Sequence, residues 1–241
     1  MPRLRLMLSF AGFALGLVAV LPSWRPHHGI VATFSIVAYD PVAKEWGVGV
    51  ASKYLAVGNV VPHARAGAGA VATQAAVNIT LGTKGLDAMA GGKSADDALG
   101  EVKKSDERIE SRQLGLIDAK GEAATFTGKR CRAYAGGKTG KHYACQGNIL
   151  AGEAVVDAMA KAYEKHEKWP LAWRMQVALE AAEAAGGDKR GKQSAALLVV
   201  RAKAGPNGFG DKAIDLRVDD HETPLVELAR ILALRLRKPA E

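Results

Sequence analysis

Three short segments near the start of the chain, Thr33–Tyr39, Trp46–Ser52 and Gly67–Thr73, combine β-branched residues with glycine and alanine. The first alternates and is β-branched, as a half-buried strand does. Asp40-Pro41 begins a turn, so the first two segments read as a hairpin. Glycines at 47 and 49 leave one face of the second strand with little side-chain bulk. A sheet with such a face must receive a helix or another backbone at close range. Composition agrees: aromatic residues make up only 6% of the 241, although 48% are hydrophobic. A well-filled core is therefore expected, with small residues at its contacts.

The rest of the chain alternates between strand and helix clusters. Helices are expected at Leu81–Ala90, ended by Gly91-Gly92, and at Ala95–Lys103, capped by Ser94. A hairpin is expected from Gln113–Asp118 and Ala123–Thr127, and a strand at Tyr143–Gly147. Tyr134–Gly140 reads as a turn. Two longer helices follow at Glu153–Lys165 and Leu171–Ala185, then strands at Ser194–Arg201 and Ala213–Val218 and a final helix at Pro224–Leu236. Hairpin strands with segregated helices point to an α+β fold of packed layers, not to a doubly wound parallel sheet. A two-sheet core with helices outside, αββα, fits the count. No repeat or linker divides residues 33–241, which are expected to form one domain.

Residues 1–32 have the layout of a signal peptide or leader. Arg3 and Arg5 precede an apolar run from Leu6 to Leu21, short for a membrane span of about 20 apolar residues. The chain is expected to be exported, periplasmic or secreted, or membrane-anchored if the leader is retained. Two cysteines, Cys131 and Cys145, suit an exported chain with one disulfide; two free thiols are the alternative. The formal charge is +8, but no nucleic-acid-binding signature accompanies it, so a solvated basic surface is expected.

Several motifs together carry a family resemblance. They are Thr-Phe-Ser-Ile-Val-Ala at 33–38, Gly-Val-Ala-Ser-Lys at 49–53, Ala-Val-Gly at 56–58, Val-Val-Pro at 60–62 and Gly-Ala-Val-Ala-Thr-Gln at 69–74. Further on stand Arg-Gln-Leu-Gly at 112–115, Gln-Gly-Asn-Ile-Leu-Ala-Gly at 146–152, the tract 186–194 and Asp-Leu-Arg-Val-Asp-Asp-His at 215–221. The chain resembles the family called domain of unknown function ten twenty-eight, grouped with the N-terminal nucleophile (Ntn) hydrolases. The resemblance implies the four-layer αββα sandwich of that type and supplies no substrate. Many relatives begin Met-Thr-Phe-Ser-Ile; here a leader stands in place of that methionine.

A cut after Ala32 would make Thr33 the N-terminus, giving one residue both a hydroxyl nucleophile and an α-amine base. Such an amine has a pKa of about 7.7–8.0, suited to base work near neutrality. Lys53, at the end of the second strand, is the expected cationic partner; its match to the lysine of proteasome-type Ntn hydrolases is by role only. Ser35 shares a strand face with Thr33. Thr73, Gln74, Asn78, Gln146 and Asn148 are candidate oxyanion donors. Asp188 and Arg190 are candidates for a rigid site loop with an internal ion pair. His63 is read as an ordinary loop histidine, and Asp219–Glu222 as helix-start acids, not metal ligands. No cofactor or metal is expected. The expected substrate is a small amide or peptide, and a homo-oligomer stays open. The competing reading is a catalytically silent exported binding or assembly protein.

Overall fold

The computed structural model describes residues 33–240. The leader expected at 1–32 lies outside the described residues. Strands β1 (Thr33–Asp40) and β2 (Glu45–Ser52) form the expected antiparallel hairpin, with Thr33 opposite Ser52 and Asp40 opposite Glu45. The Asp40 Oδ1 accepts from the N–H groups of Val42 and Ala43 at 2.8 and 3.0 Å, which closes the turn.

The elements that follow are β3 (Pro62–Arg65), β4 (Gly69–Ala75), α1 (Ile79–Ala90), α2 (Ala95–Lys104), β5 (Arg112–Asp118) and β6 (Ala123–Thr127). After them come β7 (Gly136–Gly140), β8 (Tyr143–Asn148), α3 (Ala154–Lys165), α4 (Leu171–Ala184), β9 (Ser194–Val200), β10 (Lys212–Val218) and α5 (Pro224–Arg235). The fold is mixed α+β, with two antiparallel sheets and five helices among the described residues. One sheet runs β10-β9-β2-β1-β8-β7 and the other β3-β4-β5-β6.

Alternation along the strands sorts side chains into three cores. Between the sheets, Val37, Val48 and Val50 meet Ala70, Ala72 and Ile117. On the outer face of the six-stranded sheet, Phe34, Ile36 and Leu197 meet Met159, Met175, Leu179 and Leu228 of α3, α4 and α5. Val71, Leu114 and Leu116 on the outer face of the smaller sheet pack against Leu81, Leu86, Leu99 and Val102 of α1 and α2. The bare face of β2 is the seat of α4. A methyl group at Gly47 would meet Met175 Cε at 2.6 Å, and one at Gly49 would meet Leu179 Cδ1 at 3.2 Å.

One sequence expectation is corrected, and one choice that the sequence left open is resolved. Tyr134–Gly140 is not a turn: its last five residues are edge strand β7, paired to β8, and the reversal falls at Lys141 and His142, with His142 at φ 64°. The glycine-rich composition of 136–140 imitates a turn, but β8 supplies the pairing that composition alone does not reveal. Nor are Cys131 and Cys145 bridged; both are free thiols. Cys145, opposite Ile36, points into the helix-side core, while the Cys131 thiol donates to the Arg112 carbonyl at 3.3 Å. Burial pushes the Cys145 thiol well above its ordinary pKa. Among the described residues no helix is long and apolar enough to cross a membrane.

The close approach of α4 predicts opposite outcomes at two glycines. Gly47→Val should lower unfolding free energy by about 1–3 kcal/mol through overpacking. Gly100→Ala in α2, where an added methyl group meets nothing within 4 Å, should raise it by up to about 1 kcal/mol through helix propensity. Urea unfolding of both variants checks the pair.

Candidate functional site

The inward faces of the two sheets do not stay apolar along their whole length. β1 contributes Thr33, Ser35, Val37 and Tyr39 to the space between the sheets, so its first half is polar and its second half apolar. Strand pairing places more polar residues around the first half. Thr33 lies opposite Asn148 and Ser35 opposite Gln146, while Gln74 of β4 faces Gln113 of β5 directly. All six side chains are fully buried, at 0% exposure.

These groups make a directional hydrogen-bond chain. Gln146 Nε2 donates to Ser35 Oγ at 2.6 Å, and Ser35 Oγ donates to Gln74 Oε1 at 2.7 Å. Gln74 Nε2 donates to Gln113 Oε1 at 2.8 Å and reaches the Thr33 carbonyl at 3.4 Å. Asn148 Nδ2 adds a second bond to Gln113 Oε1, at 3.1 Å. Gln113 Nε2 in turn donates to the carbonyl of Gly147 at 2.7 Å and to Thr127 Oγ1 at 2.9 Å. The Thr33 hydroxyl donates to Ser52 Oγ at 3.2 Å. Groups hidden from water need such partners, each bond contributing roughly 1 kcal/mol net and costing more if half-broken.

Two features outside the network hold it in place. Gly115 leaves the room that Gln146 occupies, since a methyl group there would stand 2.2 Å from Gln146 Oε1. Next to Gln113, Arg112 Nε pairs with Asp106 at 2.9 Å, with both side chains buried. Burial opposes ionisation of Asp106, but hydrogen bonds from Asn78 and Arg112 outweigh it and hold the carboxyl down at about 2.

The structure thus gathers Thr33, Ser35, Gln74, Gln146 and Asn148 and separates them from the other sequence candidates. Thr73 faces the opposite side of β4 from Gln74, and its hydroxyl donates to the Asn78 carbonyl at 3.2 Å. Asn78 caps α1, accepting from Thr80 N–H at 3.2 Å. Lys53 does not reach Thr33: the register puts Ser52 opposite Thr33, and the Lys53 ammonium lies exposed at the Lys192 carbonyl, 3.3 Å away. Its N–H donates to Asp188 Oδ2 at 2.9 Å. The expected Asp188–Arg190 ion pair forms, at 2.9 Å, with the carboxylate buried. This loop clamps the end of β2 beside the cluster and lines a cavity of about 120 Å³ with Phe34, Ser52 and Gly187. The tract 219–222 is a connection, not a ligand set: Asp220 accepts from Gln193 Nε2, and His221 Nδ1 accepts from the Thr223 N–H. Gln113 is the member the sequence reading missed. The signal was present in Arg-Gln-Leu-Gly at 112–115, where a glutamine stands on the inward alternation of an apolar strand.

A model of the Family of unknown function (DUF1028) matches residues 33–228, and the chain belongs to that family. The chain is also similar to a solved structure, that of protein SPO2555 from Silicibacter pomeroyi. The identity is 32% and the TM-score 0.76, over 84% of this chain and 88% of that one. No curated protein matches it.

His63 lies on β3 against α1, where a methyl group on Gly82 would meet its ring at 2.2 Å. Burial lowers its pKa, against a backbone hydrogen bond at Val60 that works the other way. Its packing therefore contributes fully above an unfolded value of about 6.5 and is lost as pH falls through the lower folded value. Between about pH 7.5 and about pH 5.5, the urea midpoint of the natural protein should fall further than that of His63→Leu. Equal falls would mean that the ring is not held neutral.

The Gly115–Gln146 contact predicts a coupled pair. Gly115→Ala should cost about 1–3 kcal/mol by forcing Gln146 aside. Placed on a Gln146→Ala background, the same change should cost much less. A double-mutant cycle on unfolding free energy measures the difference.

Proposed function

We propose that the chain is the precursor of an Ntn-type amide hydrolase acting on a small amide or peptide, with Thr33 as its nucleophile. The observation that carries this reading is the placement of Thr33. It is the first residue of a central strand, at the polar end of the space between two sheets, with its carbonyl and hydroxyl both held. On this reading the two sheets and their outer helices are the αββα sandwich of Ntn hydrolases. Residues 1–32 direct export to the periplasm or beyond, and a cut after Ala32 frees the Thr33 amine.

The chemistry then needs few parts. Thr33 Oγ attacks the substrate carbonyl while its own amine takes the hydroxyl proton. The amine returns that proton to the departing nitrogen as the C–N bond breaks, and water hydrolyses the remaining ester. No cation or imidazole of the sequence candidates stands at the hydroxyl, so the α-amine is the base that this arrangement offers. Gln74, Gln113 and Asn148 fix the backbone around it. Their donors are engaged within the network, which makes them positioning groups for Thr33 and its strand.

One observation favours the silent reading. Thr33 is fully buried and lines none of the cavities described, and the space beside Ser52, about 120 Å³, is below the roughly 300–1,000 Å³ of small-molecule sites.

Processing and activity separate the two. The exported protein should have an intact mass and N-terminal sequence starting at Thr33, and should hydrolyse members of a panel of small acyl anilides and dipeptides. Thr33→Ala should lose on the order of 10³-fold or more in kcat. A mature N-terminus elsewhere, with Thr33→Ala as active as the natural protein, would sink the proposal. A correctly processed protein that hydrolyses none of the panel favours the silent alternative.

A further inference from the structure

The far end of β1 holds a second, larger cavity that the Thr33 chemistry does not use. It measures about 1020 Å³, with Asp40 on its wall. The eight-residue length of β1 separates the two ends, roughly 25 Å at strand rise.

Arg174 enters this cavity from the first turn of α4 and is only 8% exposed. Its guanidinium carbon lies 4.0 Å from the centre of the Tyr163 ring, and its Nε is buried without a hydrogen-bond partner. Among the described residues Arg174 has no carboxylate within ion-pair distance. A buried guanidinium cannot neutralise itself by losing a proton, so leaving it unpaired is costly. Tyr163 repeats the pattern: it is fully buried, and its hydroxyl has no partner. The neighbouring Tyr143, by contrast, donates to Glu164 at 2.5 Å. The N-terminus of α4 stands at the same wall, through Pro170 and Ala172, with no side-chain cap on its free amides. Such a terminus carries partial positive charge.

Three features thus offer donors or positive potential to one space, in which no carboxylate of the described residues pairs with Arg174. The remaining walls define the anion. Asp40, Glu164 and Glu167 share the wall with Lys141, Lys168 and Arg235, and Glu45 is paired with Arg201 at 3.0 Å, so the charge of Arg174 is the one left over. One uncompensated positive charge suits a singly charged anion better than a multiply charged phosphate. Val199, Trp169 and Ile214 supply apolar wall.

We infer that this cavity binds a small, singly charged carboxylate with an apolar body, its carboxylate on Arg174 and the Tyr163 hydroxyl. The site is independent of the Thr33 reading and stands or falls separately.

The test uses the full chain, with sodium benzoate, acetate and inorganic phosphate as probes in calorimetry and thermal unfolding. Benzoate should bind and raise Tm, acetate should do so more weakly, and phosphate should not. Arg174→Met should keep a ligand-free Tm at or above that of the natural protein, because it removes an unpaired buried charge. It should weaken benzoate by about tenfold or more. Tyr163→Phe should leave the ligand-free Tm nearly unchanged and weaken benzoate by about three- to tenfold. The inference is overturned by absence of benzoate binding, by phosphate binding more tightly than benzoate, or by unchanged benzoate affinity in both variants. A collapse of ligand-free stability in Arg174→Met overturns it as well, since the charge would then already be satisfied by the protein.

Discussion

The hydrogen-bond chain from Gln146 through Ser35 and Gln74 to Gln113 sets the terms for the rest of the molecule. It joins the two sheets at the one end where their facing surfaces are polar. Side chains from β8 and β1 of one sheet meet side chains from β4 and β5 of the other, and every link is shielded from water. Apolar packing between sheets tolerates sliding; a buried amide chain does not, because a shift of an ångström leaves several donors and acceptors stranded together. The chain therefore fixes the relative register of the sheets as well as joining them.

Other elements follow from that requirement. Gly115 is bare because Gln146 needs its space. Arg112 and Asp106 bury an ion pair one residue from Gln113, and Asn78, which caps α1, also donates to Asp106 at 2.9 Å. The position of α1 is thus tied to the strand that carries Gln113. On the other side, Asp188 holds the N–H of Lys53 and so fixes the end of β2, where Ser52 receives the Thr33 hydroxyl. A glycine-bounded loop of charged residues becomes a clamp because its carboxylate is buried and fully engaged.

Much of this was legible in the sequence, and the failures share a cause. Strand alternation revealed the β1–β2 hairpin, the β5–β6 hairpin and the inward pairing of Thr33 with Ser35. Glycines 47 and 49 announced the close approach of a helix or another backbone, and α4 takes that seat. The Asp188–Arg190 pair was readable because its partners are two residues apart. What failed depended on register and on long-range pairing. Whether Ser52 or Lys53 stands opposite Thr33 is a one-residue question, and a one-residue shift reverses the face of every side chain. Strand β7 looks like a turn until β8 supplies its partner. The choice between a bridge and two free thiols at Cys131 and Cys145 turns on Cys145 facing the helices. Gln113 went unnoticed for the same reason: a glutamine in an apolar strand gains meaning only when Gln74, Asn148 and the Gly147 carbonyl converge on it.

The two ends of β1 carry opposite electrostatic designs. At the Thr33 end, Thr33, Ser35, Gln74, Gln113, Gln146 and Asn148 are all neutral at any ordinary pH, and Asp188, beside the end of β2, is committed to Lys53 and Arg190. Such an environment can orient a nucleophile but cannot deprotonate it. On the proposed reading the missing base arises from a covalent event, the cut that frees an α-amine on Thr33 itself. That would make the site silent before processing. At the Asp40 end the design is reversed: Arg174 carries a permanent charge that no processing alters, and on the inferred reading its counter-ion is a bound carboxylate. One strand thus links a site whose chemistry awaits a backbone cut to a cavity whose charge awaits a ligand, and neither requirement explains the other.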